Sequence, residues 1–246
     1  MIGQAISIKN KKYNIIILAG GAGSRMGNAS DFIPKALSKI GSKRAIDYII
    51  ERYSIVAHKF IIGVCYHSDL LKSYIKGNYS NLDIEFSEEK IEDLKNNAFS
   101  TLYCLDHADS RYGTIITFCD LIMIGNNIIN DNTIYYADKN TKGIIGTFRH
   151  SIDADSGTDN IRFIEHLPTS INGNLKGVLG TFIIGNTILF KKVVYNSGAT
   201  ICNDLTWDFI RVYGDYKHLQ VENCETVYEF GNENDLLELR KIWENA

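Results

Sequence analysis

The chain has 246 residues, 45 % hydrophobic and 22 % charged, with Lys+Arg 26 against Asp+Glu 29 and a formal charge of −3. A near-neutral balance with no basic block argues against a protein built to coat nucleic acid. The apolar runs fall far short of the ~20 residues of a membrane helix, and residues 1–10 lack a signal-peptide core, so a cytoplasmic protein without membrane or nucleic-acid partners is expected.

Tyr13–Ala19 is a β-branched apolar run ending in glycines, the pattern of a buried strand. Gly20–Ile33 is a long polar loop rich in glycine. Ile46–Ala57 has helical spacing, Phe60–Tyr66 is a second buried strand, and Ser68–Ile75 is a short helix with Ser68 as its cap. Leu82–Phe86 alternates as a third strand. Asn97–Ala108 is a helix with Leu102 and Leu105 on one face, and Thr114–Cys119 is a buried strand that ends at Asp120. Strands and helices alternate at βαβ spacing to this point, which predicts a doubly wound parallel sheet of the α/β class.

Beyond Asp120 the pattern becomes strand-rich. Gly143–Phe148, Asn160–Glu165 and Gly177–Gly185 are strand-like with no long helix between them. Asp204–Val212 and Asn234–Trp243 are helical, flanking strands at His218–Val221 and Thr226–Phe230, and Asn232 suits the cap of the last helix. No repeat or linker interrupts the chain. One domain over 1–246 is expected, with 126–246 extending the sheet begun by 13–125 and giving a mixed, mainly parallel whole. The five cysteines (Cys65, Cys104, Cys119, Cys202, Cys224) are dispersed and odd in number, with no CxxC pair, and are expected to be free thiols.

The chemistry-bearing stretch is Leu18-Ala19-Gly20-Gly21-Ala22-Gly23-Ser24-Arg25-Met26-Gly27, followed by Pro34-Lys35-Ala36-Leu37. Consecutive glycines after a buried strand let backbone N–H groups turn toward phosphate oxygens. Arg25 adds a planar charged fork, Lys35 a compact second charge, and Pro34 stiffens the approach to it. No Gly-Lys-Ser/Thr follows at Walker A spacing, and from Gly21 and Gly23 the third glycine of a dinucleotide fingerprint falls on Met26. Asp120, at the end of a parallel strand, stands where such sheets place ligands.

At these residues the chain resembles the sugar-phosphate and phosphocholine nucleotidylyltransferases, most of all cytidylyltransferases of the phosphocholine type. Asn96–Leu102, Phe118–Leu121, Ile164–His166, Gly180–Phe182 and Phe230–Leu236 add weaker likenesses along the rest of the chain. The resemblance implies a Rossmann-like nucleotidyltransferase fold. It also implies a Mg²⁺-dependent reaction in which a phosphorylated small molecule attacks the α-phosphorus of an NTP and pyrophosphate leaves. CTP is the expected nucleotide. The acceptor is expected to be phosphocholine, another phospho-metabolite such as phosphoglutamine, or a sugar 1-phosphate, for glycan or capsule synthesis. A homo-oligomer is compatible with this reading.

Carried over position by position, the resemblance gives Arg25 the β- and γ-phosphates, Lys35 the α-phosphate and Asp120 the metal. Leu18, Ala19, Gly20, Gly21, Ala22, Gly23, Ser24, Tyr66, Asn97 and Ser100 complete the nucleotide site. Arg149, Glu165, Lys176 and Thr181 are the candidates on the acceptor side. His166 stands where many sugar-phosphate members have lysine. Phe230-Gly231-Asn232 carries no acid where a second metal ligand is common, which leaves Asp204, Asp208 and Glu229 as substitutes. Three other readings stand beside this one: a molybdopterin guanylyltransferase-like enzyme, a glycosyltransferase, and a non-catalytic nucleotide sensor. The absent Asp-x-Asp weighs against the second, and the presence of Arg25, Lys35 and Asp120 against the third.

Overall fold

In the computed structural model the described residues are 11–26, 33–91, 97–125, 129–138, 140–144, 150–153, 162–165, 175–198 and 220–244. The first half runs β1 (Tyr13–Leu18), a small hairpin of β2 (Lys39–Ile40) and β3 (Lys43–Arg44), α1 (Ala45–Tyr53), β4 (Ala57–Val64), α2 (Ser68–Asn78), β5 (Ile84–Glu88), α3 (Asn97–Asp106) and β6 (Gly113–Phe118). The second half runs β7 (Leu121–Ile124), β8 (Thr133–Ala137), β9 (Lys142–Ile144), β10 (His150–Asp153), β11 (Arg162–Glu165) and β12 (Leu175–Ile184). After these come α4 (Thr187–Gly198), β13 (Gln220–Asn223), β14 (Thr226–Glu229) and α5 (Glu233–Glu244).

The principal sheet has the order β11-β10-β12-β6-β1-β4-β5, with β8 against β12 and β13 against β8. It is parallel from β5 through β4 and β1 to β6, and antiparallel where β12 joins β6. The period-2 geometry of β1 explains the two layers. Ile15 and Ile17 face α1 and α2 in one buried cluster, with Ile49, Ile50, Leu71 and Ile75. Ile16 and Leu18 face α3 and α4 in the other, with Cys104, Leu105, Phe190 and Val194. A strand buried on both faces needs an apolar run, as Ile15–Leu18 supplies, and the one buried polar side chain before it, Asn14, donates to Asp109 O at 2.9 Å. A second, three-stranded sheet, β7-β14-β9, stands beside the first.

The expected strands and helices of the first half are present, with ends moved by a few residues. The cap expected at Ser68 falls on His67, whose backbone is left-handed at φ 53° and whose side chain makes no capping bond. Helix α4 was not expected. Its sequence carries Ile188, Leu189, Phe190, Val193 and Val194 in clusters, yet only Thr187, Phe190 and Val194 are buried, so its periodicity is weak. The hairpin β2–β3 and strands β7, β8 and β10 were also unassigned, being five residues or fewer. The expected strand Gly143–Phe148 is β9 up to Ile144, and its remainder lies outside the described residues, as does the expected helix Asp204–Val212. Asn232 caps α5 as expected: its Oδ1 accepts the Asp235 N–H at 3.0 Å.

Candidate active site

The glycine loop leaves β1 at the sheet's topological switch point, between β4 and β6. Ala19 N–H donates to Gly63 O at 3.0 Å, which ties the exit of β1 to β4. Gly23 has φ +66°, a left-handed conformation that a side chain opposes, and its carbonyl accepts the Met26 N–H at 2.7 Å in a tight turn. Met26 is 2 % exposed and packs with Phe230, Leu236 and Leu239 of the C-terminal segment. The loop is thereby anchored from below while Ser24 and Arg25 stay at the surface of the cleft. The Arg25 guanidinium comes within 3.8 Å of the place a Cβ on Gly231 would take.

Pro34 holds the chain extended at φ −59° before the single helical turn Lys35–Leu37, whose Ala36 and Leu37 are buried. That turn leaves Lys35 directed into the cleft. Its ammonium forms a salt bridge with the Asp120 carboxylate and stands 5.6 Å from the Phe230 ring centroid. Asp120 lies two residues beyond β6, directly before β7. It is fixed on both sides: Cys119 N–H donates to Leu18 O at 3.2 Å, and Phe230 N–H donates to Asp120 O at 3.3 Å. Burial, followed by the charge of nearby Asp120, pushes the Glu229 carboxyl up to about 7, while Lys35 and Arg25 oppose the shift. Burial also pushes the Cys119 thiol up to about 12, which leaves it protonated and unreactive at neutral pH.

These groups line a cleft of about 420 Å³. Leu18, Gly20, Gly21, Ala22, Gly23, Ser24, Arg25, Lys35, Tyr66, Asn97, Ser100 and Asp120, all sequence candidates, form its wall. Ala19 lies just behind, 5 % exposed. Thr181 is not brought there; it is buried on β12 with its hydroxyl 3.0 Å from that of Thr117. Glu165 and Lys176 are on β11 and β12, while Arg149, Asp204 and Asp208 lie outside the described residues. The cleft also takes in Ile91, Phe118, Cys119 and Gly231. Ile91, an exposed apolar residue in a charged stretch, carried no signal in the sequence; Gly231 and its neighbour Phe230 were legible only as part of a weak terminal motif.

A glycine loop, two cations and a carboxylate thus converge at one end of a parallel sheet, with hydroxyl, amide and phenol groups in the same cleft. Residues 15–145 match the MobA-like NTP transferase domain. The chain belongs to the MobA-like NTP transferase family. Over 76 residues it is 33 % identical to D-glycero-alpha-D-manno-heptose 1-phosphate guanylyltransferase of Campylobacter jejuni, a stretch that covers 30 % of this chain and 34 % of that one. The alignment therefore spans about a third of the curated relative's length. In structure the chain is similar to the CTP:phosphocholine cytidylyltransferase of Streptococcus pneumoniae, with a TM-score of 0.71, 20 % identity, and coverage of 94 % of this chain and 99 % of that one. It is equally similar to a UDP-glucose pyrophosphorylase complexed with UDP-glucose, with a TM-score of 0.72, 14 % identity, and coverage of 95 % and 99 %. At these identities the likeness is one of fold, and that fold is the α/β nucleotidyltransferase fold. No helix among the described residues is long and apolar enough to cross a membrane.

Proposed function

We propose that this nucleotidyltransferase joins an NTP, CTP first among them, to a phosphorylated small molecule and releases pyrophosphate, for cell-surface glycan or capsule synthesis. The observation that carries this reading is the pairing of Lys35 with Asp120 in the cleft that Arg25 and the glycine loop also line. The attacking group, a phosphate, is already an anion, so the reaction requires positioning and charge neutralisation rather than a strong base. Arg25 and the loop N–H groups hold the β- and γ-phosphates. Lys35, whose charge is matched by Asp120, turns to the α-phosphate when a triphosphate brings its own negative charge. The acceptor is assigned to the 126–246 half, where Arg149, Glu165 and Lys176 remain candidates.

The donor set suits Mg²⁺. Among the described residues no group of three or more His, Cys, Asp or Glu gathers to hold a metal. Mg²⁺ in phosphate sites, however, commonly takes only one or two carboxylates and completes its shell with phosphate oxygens and water. Asp120 and Glu229 are two hard donors close enough for one to raise the other's pKa, a repulsion that a bound cation would discharge. Asp120 would hold the ion with Glu229 in support, and the ion would supply charge stabilisation on the phosphates. The test is pyrophosphate release with each of the NTPs against phosphocholine, phosphoglutamine and a set of sugar 1-phosphates, with and without Mg²⁺. Release with one NTP–acceptor pair is expected. Tight NTP binding without release from any pair overturns the catalytic reading in favour of a nucleotide sensor.

A further inference from the structure

The cleft wall carries two chemically different groups of residues. Arg25, Lys35 and Asp120 make one, suited to phosphates; Gly20, Tyr66, Asn97 and Ser100 make the other, suited to a nucleoside. Against Gly20 and Ser100 stands Glu89, which the mechanism above does not use. It follows β5, donates its N–H to Val64 O at 2.9 Å, and is 7 % exposed. Its Oε2 accepts the Ser100 hydroxyl at 2.6 Å. Its Oε1 is buried and has no hydrogen-bond partner among the described residues.

That orphaned oxygen is housed by two glycines. It lies 2.9 Å from where a Cβ on Gly63 would stand and 3.3 Å from one on Gly20. A side chain at Gly63 would displace the carboxyl, and Gly20, part of the cleft wall, puts no side chain between Oε1 and the cleft. Burial pushes the Glu89 carboxyl above its usual range, while the Ser100 hydrogen bond favours the charged form. A buried acceptor left unpaired is costly, and an amide or apolar residue would fill the same space at lower cost if packing were the whole purpose. The arrangement is explained if a donor arrives with the ligand.

Resting on the nucleotidyltransferase reading, we propose that Glu89 selects the base, its Oε1 accepting an N–H from an exocyclic amino group, so that the site takes cytosine over uracil or thymine. Cytosine presents the N4 amino donor where uracil and thymine present the O4 acceptor. An acceptor facing Oε1 leaves the carboxylate unpaired and adds a repulsion, which is how a buried polar group rejects a near-isostere. The Ser100 hydroxyl, by donating to Oε2, keeps the carboxyl in its acceptor role.

CTP and UTP, nearly isosteric, isolate this one group. The experiment is calorimetric titration of the full chain with each triphosphate in Mg²⁺, on the wild type and on Glu89→Gln, with thermal unfolding to confirm that the variant is folded. The wild type is expected to favour CTP by about tenfold or more, the scale of a hydrogen bond to a charged group. In Glu89→Gln, whose amide can offer an N–H to O4, the preference is expected to vanish or invert. Equal affinities in the wild type overturn the proposal. So does a variant that weakens both triphosphates by the same factor, which marks a packing role. If the variant does not fold, the wild-type ratio decides alone. Binding of neither triphosphate overturns the proposal; pyrophosphate release with another NTP then leaves the nucleotide reading standing, and release with none of the NTPs removes both.

Discussion

Lys35 and Asp120 pair at side-chain exposures of 12 % and 19 %, so the cation and the carboxylate are both largely shielded from water, where each would otherwise be screened. Removing the lysine therefore strips charge from the point where the α-phosphate is proposed to sit. Lys35→Ala is expected to lower pyrophosphate release by about a hundredfold or more, the scale of losing one preorganised electrostatic contact. Its thermal unfolding midpoint is expected to move by only a few degrees, and a near-normal rate would end the assignment. Arg25 stands on firmer local geometry than its neighbours, because Gly23 fixes the turn before it. Gly23→Ala forces a side chain into the left-handed region, costing about 1–2 kcal/mol, and is expected to weaken triphosphate binding as well as stability. Equilibrium unfolding and calorimetry separate those two effects. The positions of Gly23, Arg25 and Lys35 are all legible in the sequence. The Lys35–Asp120 contact, across 85 positions of chain, is not.

At the scale of elements, the C-terminal segment is the support on which the first loop rests. Phe230 sends its N–H to Asp120, places its ring near Lys35 and packs against Met26, while Leu236 and Leu239 of α5 close the same cluster. Met26→Ala removes a buried side chain from this contact, at about 2–5 kcal/mol, and is expected to cost catalysis beyond what the fraction unfolded explains. Comparing activity with folded fraction in mild denaturant measures the difference. At the other edge, β5 is clipped by Glu85, whose carboxylate accepts from Lys59 at 2.8 Å and also contacts His107 at the end of α3. The Lys59 hydrogen bond above all holds the Glu85 carboxyl below its usual range, against burial, which is second in size, and with a lesser contribution from His107. Since the folded pKa lies below the unfolded one, this contribution is present above the ordinary carboxylate range and is lost as pH falls through the folded value. The pair is partly exposed, so Glu85→Gln is expected to cost only about 0.2–1 kcal/mol at neutral pH and nothing in acid. Denaturation midpoints at the two pH values give the slope.

For the whole molecule, the two halves share their cores. Ile16, Leu18, Ile61 and Ile116 from the first half pack with Phe182, Ile184, Phe190 and Val194 from the second. Strand β12 supplies the antiparallel partner of β6. A fragment of residues 13–125 would leave that strand edge unpaired and one sheet face uncovered. The full chain is therefore expected to unfold in one cooperative transition, and the fragment to show no cooperative transition of its own, by circular dichroism against denaturant. Two separate transitions in the full chain would instead divide it into independent domains.

What the sequence determined by itself is what local periodicity and local chemistry encode. Buried parallel strands require continuous apolar runs, so β1, β4 and β6 stood out; the glycines, Arg25, Pro34 and Lys35 lie within 20 residues of one another and read as one phosphate loop. The tertiary structure decided everything that depends on distant segments meeting. It set Glu229 beside Asp120, brought Gly231 into the cleft wall, and buried Thr181 against Thr117 instead of in the cleft. It also left one oxygen of Glu89 beside Gly20 without a partner among the described residues. Contacts of this kind join residues tens or hundreds of positions apart, and no repeat along the chain marks them. They exist only once the sheet has closed and burial has set which polar groups are satisfied.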